Sequence, residues 1–255
     1  MAEPTKTLDD QSRAAGDHGL SLRALAPTVT PATTSTAATP RYFDSRLSPL
    51  PGVHLPLTSM MVEAGAGSLL ISPVATPEEA AAIGARATTT LLAPSLLHHL
   101  TLPDAIARYH PVEVWGPPGL HAKRPQLGPV RVFGVDPWPH GDTLDFVLLE
   151  GAPRRNEMIF FHRASRTIYT ADVFFNLHHP DNLPTSIAYR LLGVKGRFVV
   201  PITWKAFVTD KAKFQRSLER VLEWDFDHIA MAHGELISRG GKALAVAALQ
   251  NRGYL

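Results

Sequence analysis

Four side chains with metal-ligand or proton-transfer chemistry stand just beyond apolar, strand-like runs. His98 and His99 close the run Thr88-Thr-Thr-Leu-Leu-Ala-Pro-Ser-Leu-Leu-His-His. Asp172 closes Arg166-Thr-Ile-Tyr-Thr-Ala-Asp, and His233 closes Asp227-His-Ile-Ala-Met-Ala-His-Gly. Imidazole nitrogens and a carboxylate suit Zn²⁺ or Fe²⁺ at about 2.0–2.2 Å. Ligand sites of layered α/β folds lie beyond strand ends, so the expectation is that these three ends meet at one site. Adjacent residues on an extended segment point opposite ways, so joint binding by His98 and His99 requires a turn there.

The elements that must position these groups are readable in outline. Ser68-Leu-Leu-Ile-Ser reads as a buried strand. Thr76-Pro-Glu-Glu starts a helix, with Thr76 as N-cap, Pro77 at the first helical position and Glu79 at the capping-box position. The strand Thr88–Ala93 follows, which makes a β-α-β unit. A short helix from Leu102 and a strand Val112–Trp115 repeat the rhythm. From Val130 to Asp172 four strand-like runs follow one another across short turns, which predicts antiparallel neighbours. Residues 173–206 carry no readable period. A helix from Asp210 places Phe214, Leu218, Val221 and Leu222 on one face, and a last helix spans Lys242–Gln250.

Composition bounds the function. The 255 residues are 45% hydrophobic and 19% charged, an ordinary globular balance. The formal net charge is +2 with no long basic run, which argues against nucleic acid or a membrane surface as partner. There are no cysteines, which excludes disulfides, iron–sulfur clusters and a cysteine nucleophile. The early acids and the lack of an apolar leader or an 18-residue apolar run predict a cytoplasmic location. Residues 1–40, rich in Thr, Ala, Ser and Pro, predict a disordered tail ahead of one folded domain over 41–255. Ser95 lacks a Gly-x-Ser-x-Gly elbow, so serine hydrolysis is not indicated. His162 reads as an exposed strand-end residue; Trp115, Trp138 and Trp224 read as core or pocket walls, with Trp138 and His140 as an alternative rim. His178, His179 and Asp181 read as a loop near the site.

The order of these strand ends resembles the metallo-β-lactamase superfamily. Its pattern is a strand ending in Thr-His-x-His-x-Asp-His, a Gly-His turn, a strand ending in Gly-Asp and a last strand ending in Gly-His. More closely the chain resembles the DUF4336 branch. The shared motifs are Ala93–His99, Phe160–Thr167, Asp172 and Trp224–Gly234. The resemblance covers roughly residues 45–250 and implies a four-layer αββα sandwich. It puts the first two metal histidines on Pro94 and Leu96, and finds none near Gly151-Ala-Pro. Ser72 replaces an early strand-end Asp. It thereby implies that one of two metal sites is lost, and that His98, His99, Asp172 and His233 surround the other. Glu157, beside the altered turn, reads as a replacement ligand, a general base or a solvated turn acid.

The expectation is a mononuclear hydrolase holding one divalent metal, zinc or iron. Asp172 or Glu157 would position or deprotonate the attacking water, and the small-molecule substrate is unnamed. A metal-free binding protein or pseudoenzyme using the same cleft is the alternative. A scaffold acting through the proline-rich tail is the third reading.

Overall fold

The computed structural model describes residues 39–84, 89–109 and 112–255. The expected tail over residues 1–40 lies almost wholly outside these described residues.

The chain enters as an antiparallel pair, β1 (Arg41–Leu50) and β2 (Val53–Ala64). It turns at Gly65, whose φ of 59° favours glycine, and returns as β3 (Gly67–Ile71). Thr76 caps α1 (Pro77–Ile83) by accepting from the Glu79 N–H, and Pro77 sits where its missing N–H costs nothing. Next come β4 (Thr89–Leu92), α2 (Leu102–Arg108) and β5 (Val112–Gly116), with β3, β4 and β5 parallel. After α3 (Leu120–Lys123) and a 3-10 turn at Pro125–Leu127 comes β6 (Arg131–Val132). The strands pair in the order β1-β2-β3-β4-β5-β6. The run at Val130 was expected to open the antiparallel series. Instead β6 runs parallel to β5, because the helical turns between them form a crossover.

The second sheet starts with an antiparallel meander of β7 (Leu144–Leu148), β8 (Met158–His162) and β9 (Thr167–Thr170). The segment without a readable period holds β10 (Phe175–Asn176), α4 (Leu183–Leu191), β11 (Phe198–Val199) and α5 (Trp204–Phe207). Strands β10 and β11 form a two-stranded sheet of their own. Asp210 then caps α6 (Lys211–Glu223). Strand β12 (His228–Met231) pairs parallel with β9, and α7 (Gly241–Arg252) closes the chain.

Alternation along the second sheet builds two cores. Met158 and Phe160 of β8, Tyr169 of β9 and Ala230 of β12 face the first sheet's apolar residues. Their neighbours Ile159, Phe161, Ile168, Ile229 and Met231 face the opposite way, onto Phe214, Leu218 and Val221 of α6 and Ala245 and Leu249 of α7. Each large apolar side chain so buried contributes about 1.5–3 kcal/mol. Helices α1 and α2 cover the first sheet, with Ala82, Ile83, Leu102 and Ala105 buried. The result is the expected αββα layering. Two bonds near the site join the sheets: the Thr58 N–H donates to the Ala232 carbonyl and the Tyr169 hydroxyl to the Thr58 carbonyl.

Candidate metal centre

Strand register brings two of the predicted groups together. In β9 and β12, Met231 lies beside Thr170. Two residues further on, the same register sets His233 beside Asp172. Main-chain bonds hold Asp172 there. Glu157, fully buried, accepts from the N–H groups of Ala171 (3.0 Å), Asp172 (3.0 Å) and Val173 (3.1 Å). The Trp204 indole donates to the Asp172 carbonyl at 2.8 Å. The turn beyond Asp172 is therefore fastened by a carboxylate on one side and an indole on the other.

His233 is oriented by the first sheet. Its Nδ1 lies 2.8 Å from the Pro56 carbonyl, which can only accept, so Nδ1 carries the proton. In the neutral ring Nε2 then offers a lone pair, and it faces Asp172 Oδ1 at 3.6 Å. Gly234 has a φ of 123°, and a Cβ there would stand 2.2 Å from the Asn176 carbonyl oxygen. The backbone crosses β10 so closely that only glycine fits after the histidine.

His98 reaches the same carboxylate from the turn after β4. The Ser95 hydroxyl accepts from the N–H groups of Leu97 (3.1 Å) and His98 (3.2 Å), which bends the chain. Ser72, at the end of β3, holds His98 Nδ1 at 3.1 Å, and Nε2 faces Asp172 Oδ1 at 3.5 Å. The bend sends His99 elsewhere. Its Nδ1 accepts from Arg124 Nε at 3.2 Å, and it lies outside the group formed by His98, Asp172 and His233. Burial, with Arg124 and Lys123 adding repulsion, pushes the His99 imidazole down to about 4.

Sequence reasoning missed Arg155. Its guanidinium is 8% exposed and lies against Trp204 and Phe207, with Nη1 3.0 Å from Asp172 Oδ2. The turn after β7 places it: the Arg155 N–H donates to the Ala152 carbonyl, and the Arg155 carbonyl accepts from the Leu96 N–H. The signal was the pair Arg154-Arg155 in the turn where the resemblance called for a histidine. A turn arginine ordinarily reads as solvated.

The three donor atoms of His98, Asp172 and His233 lie within 4.8 Å of one another. Two ligands about 2.1 Å from a tetrahedral ion stand about 3.4 Å apart. The observed 3.5 and 3.6 Å contacts to Oδ1 match that spacing and are long for direct hydrogen bonds. The donor set, two imidazoles and a carboxylate each held by a second partner, fits one divalent ion. Burial alone would raise the Asp172 carboxyl. The neighbouring His98 and Arg155, with the His233 contact, outweigh it and hold the group well below its ordinary range. Glu157 is pushed up to about 8 by burial and by Asp172.

The remaining candidates are engaged elsewhere. His178 pairs with Asn176 at 2.7 Å, His179 with Glu235 at 3.5 Å, and Asp181 with His54 and Arg46. His162 was expected at the surface but is buried, its Nδ1 2.7 Å from the Ser165 hydroxyl. Trp138 packs against Trp115, Phe133 and Phe146. Among the described residues no helix is long and apolar enough to cross a membrane.

No family model matches the chain, and no curated protein matches it in sequence. Solved structures do match it in shape. A metallo-β-lactamase from Pontibacter korlensis superposes with a TM-score of 0.55 at 13% identity, covering 86% of this chain and 98% of that one. The metallo-β-lactamase FIM-1 from Pseudomonas aeruginosa, in its mono-zinc form, gives 0.54 at 12% identity over 86% and 93%. The metal-soaked flavodiiron core of Flv1 from Synechocystis sp. PCC6803 gives 0.55 at 12% identity, over 84% of this chain and 59% of that one. The chain has the metallo-β-lactamase fold.

Proposed function

We propose that this chain is a mononuclear metal-dependent hydrolase of a small-molecule substrate. His98 Nε2, Asp172 Oδ1 and His233 Nε2 would hold one zinc or iron(II) ion. The observation that carries the reading is the convergence of two imidazole nitrogens on one carboxylate oxygen, at 3.5 and 3.6 Å, with His233 Nδ1 already committed to a carbonyl. In the neutral ring a lone pair then faces a carboxylate, an arrangement that a bound cation would satisfy. The fold neighbour FIM-1, in its mono-zinc form, supports a single-ion centre. The motifs at Ala93–His99, Phe160–Thr167 and Trp224–Gly234 support placing the chain in the DUF4336 branch.

A bound divalent ion lowers the pKa of a water toward about 7 and polarises a carbonyl or phosphoryl oxygen. The chain's own residues fix where that happens. His98, Asp172 and His233 would supply three protein ligands, the number found at catalytic rather than structural zinc sites. Asp172 is kept ionised and turned by Arg155, so that Oδ2 faces the guanidinium and Oδ1 faces the imidazoles. Glu157 acts as a positioning residue. Both of its oxygens are occupied by the 171–173 turn, so it steers Asp172 through the backbone.

The Arg155–Asp172 pair favours a second reading, a metal-free pocket in which the guanidinium alone neutralises the carboxylate. Metal analysis of the purified protein after dialysis against zinc or iron(II) separates the two. The hydrolase reading expects about one equivalent in the native protein and in His99→Ala, and loss in His98→Ala, Asp172→Ala and His233→Ala. It also expects ester or phosphoester hydrolysis that disappears with the metal. A folded native protein that retains no ion overturns it.

A further inference from the structure

Arg155 carries more capacity than its pairing with Asp172 uses. The guanidinium is a planar fork of five donors matched to the two oxygens of a carboxylate or phosphate. Here it is buried, yet neither Nε nor Nη1 makes a hydrogen bond within the described protein. The 3.0 Å approach of Nη1 to Asp172 Oδ2 is an ion pair outside hydrogen-bonding geometry, which leaves Oδ2 without a hydrogen bond as well. Buried polar groups are normally satisfied, and an arginine with idle buried donors beside a strand-end site is an exception that a ligand would remove.

The surroundings reinforce this. The guanidinium lies over Phe207 at 4.2 Å and Trp204 at 4.9 Å, contacts that hold its plane but accept none of its protons. Two further cations bind the same turn that carries His98. Lys123 Nζ donates to the Leu96 carbonyl and Arg124 Nε to His99. At the triad itself, Arg155 faces the Asp172 carboxylate, and buried Glu157 stands beside both. A divalent ion on the triad would leave the centre with a clear positive excess. Charge balance then asks for an anion.

We infer that Arg155 is the seat for an oxyanion group of the substrate, a carboxylate or a phosphate, held beside the triad by the idle Nε–H and Nη1–H donors. This rests on the hydrolase reading for where the substrate sits, and it narrows the substrate class to anionic small molecules. One face of the group would meet the guanidinium while the scissile bond lies toward the triad. An arginine serves this purpose better than a lysine because its donors are fixed in one plane, which orients an anion as well as holding it.

The test is calorimetric titration of the full chain with inorganic phosphate and, separately, with acetate, each with zinc present and after its removal by a chelator. The expected result is binding of at least one probe that weakens tenfold or more in Arg155→Gln and threefold or more in Arg155→Lys. Zinc equivalents are measured on each variant, so that anion affinity is compared at equal metal occupancy and in the zinc-free proteins. The stronger probe identifies the oxyanion as phosphate or carboxylate. If Arg155→Gln fails to fold by circular dichroism, Arg155→Lys carries the test alone. Wild-type protein that binds neither probe overturns the inference, as does a folded variant with affinity within twofold of wild type. Arg155-dependent binding in a protein that takes up no zinc upholds the anion seat while the metal reading falls.

Discussion

Two buried glutamates, one behind each sheet, do the same mechanical task in different electrical settings. Glu79, on α1, accepts from the N–H groups of Val74 (3.1 Å) and Ala75 (2.9 Å), from the Ser59 hydroxyl (2.6 Å) and from the Tyr109 hydroxyl (2.8 Å). It ties down the loop after β3. Glu157 accepts from three successive N–H groups and ties down the loop after β9. Every hydrogen-bond donor to Glu79 is neutral. Glu157 stands beside the charges of Asp172 and Arg155. The same device is a purely mechanical fastener in one half. In the other it sets the aim of a carboxylate that two imidazoles and a guanidinium share.

Substitutions can break this comparison, and the largest effect belongs to the mechanical half. Glu79→Ala removes the acceptor from four donors, three of them buried, and should cost roughly 3–5 kcal/mol of stability. Urea denaturation reads it, and metal affinity of the folded fraction should be unchanged. Glu157→Gln keeps the shape but presents an amide N–H₂ to backbone donors. It should cost about 1–2 kcal/mol and weaken zinc binding about tenfold, measured by competition with a chelating dye. If Glu157→Gln moved stability alone, the distinction between the two glutamates would collapse.

Smaller changes sharpen it. Ser72→Ala removes the partner of His98 Nδ1, and the ring loses its fixed direction. Zinc affinity should fall several-fold, up to about tenfold, with stability nearly intact. The same dye competition checks this. A double Ser72→Ala, Glu157→Gln protein would show whether the two supports act independently.

The smallest effect is a pH dependence away from the site. Burial lowers the pKa of His162, so the folded state prefers the neutral ring. Its contribution to stability is present above the ordinary value of 6.5 and is lost as pH falls through the depressed value. His162→Gln keeps a partner for Ser165 and cannot titrate. Thermal melts between pH 7 and pH 5 should show the native protein losing more stability on acidification than the variant.

Much of this arrangement was legible in the sequence. The runs ending at His98, Asp172 and His233 read as apolar and strand-like, and the order of their end residues carried the resemblance that implied the fold. Thr76-Pro77 announced α1 correctly. Glu79 itself was less legible, because its side chain bypasses the N-cap and reaches Val74, Ala75, Ser59 and Tyr109. Those last two contacts are tertiary and leave no local signature. The divergence of His98 and His99 was equally hidden, since it depends on Ser95 bending the turn and on Arg124 arriving from α3's end. Strands β10 and β11 escaped because two residues have no period to read. Arg155 escaped because burial of a turn arginine is decided by Trp204 and Phe207, some fifty residues later.

The central claim is that one ion sits among His98, Asp172 and His233. Anomalous diffraction at the zinc edge, from crystals grown with zinc, tests it most directly. The account predicts one strong peak about 2.0–2.2 Å from His98 Nε2, Asp172 Oδ1 and His233 Nε2, with His99 still on Arg124. No peak at the triad, or a peak bound through His99, would contradict it.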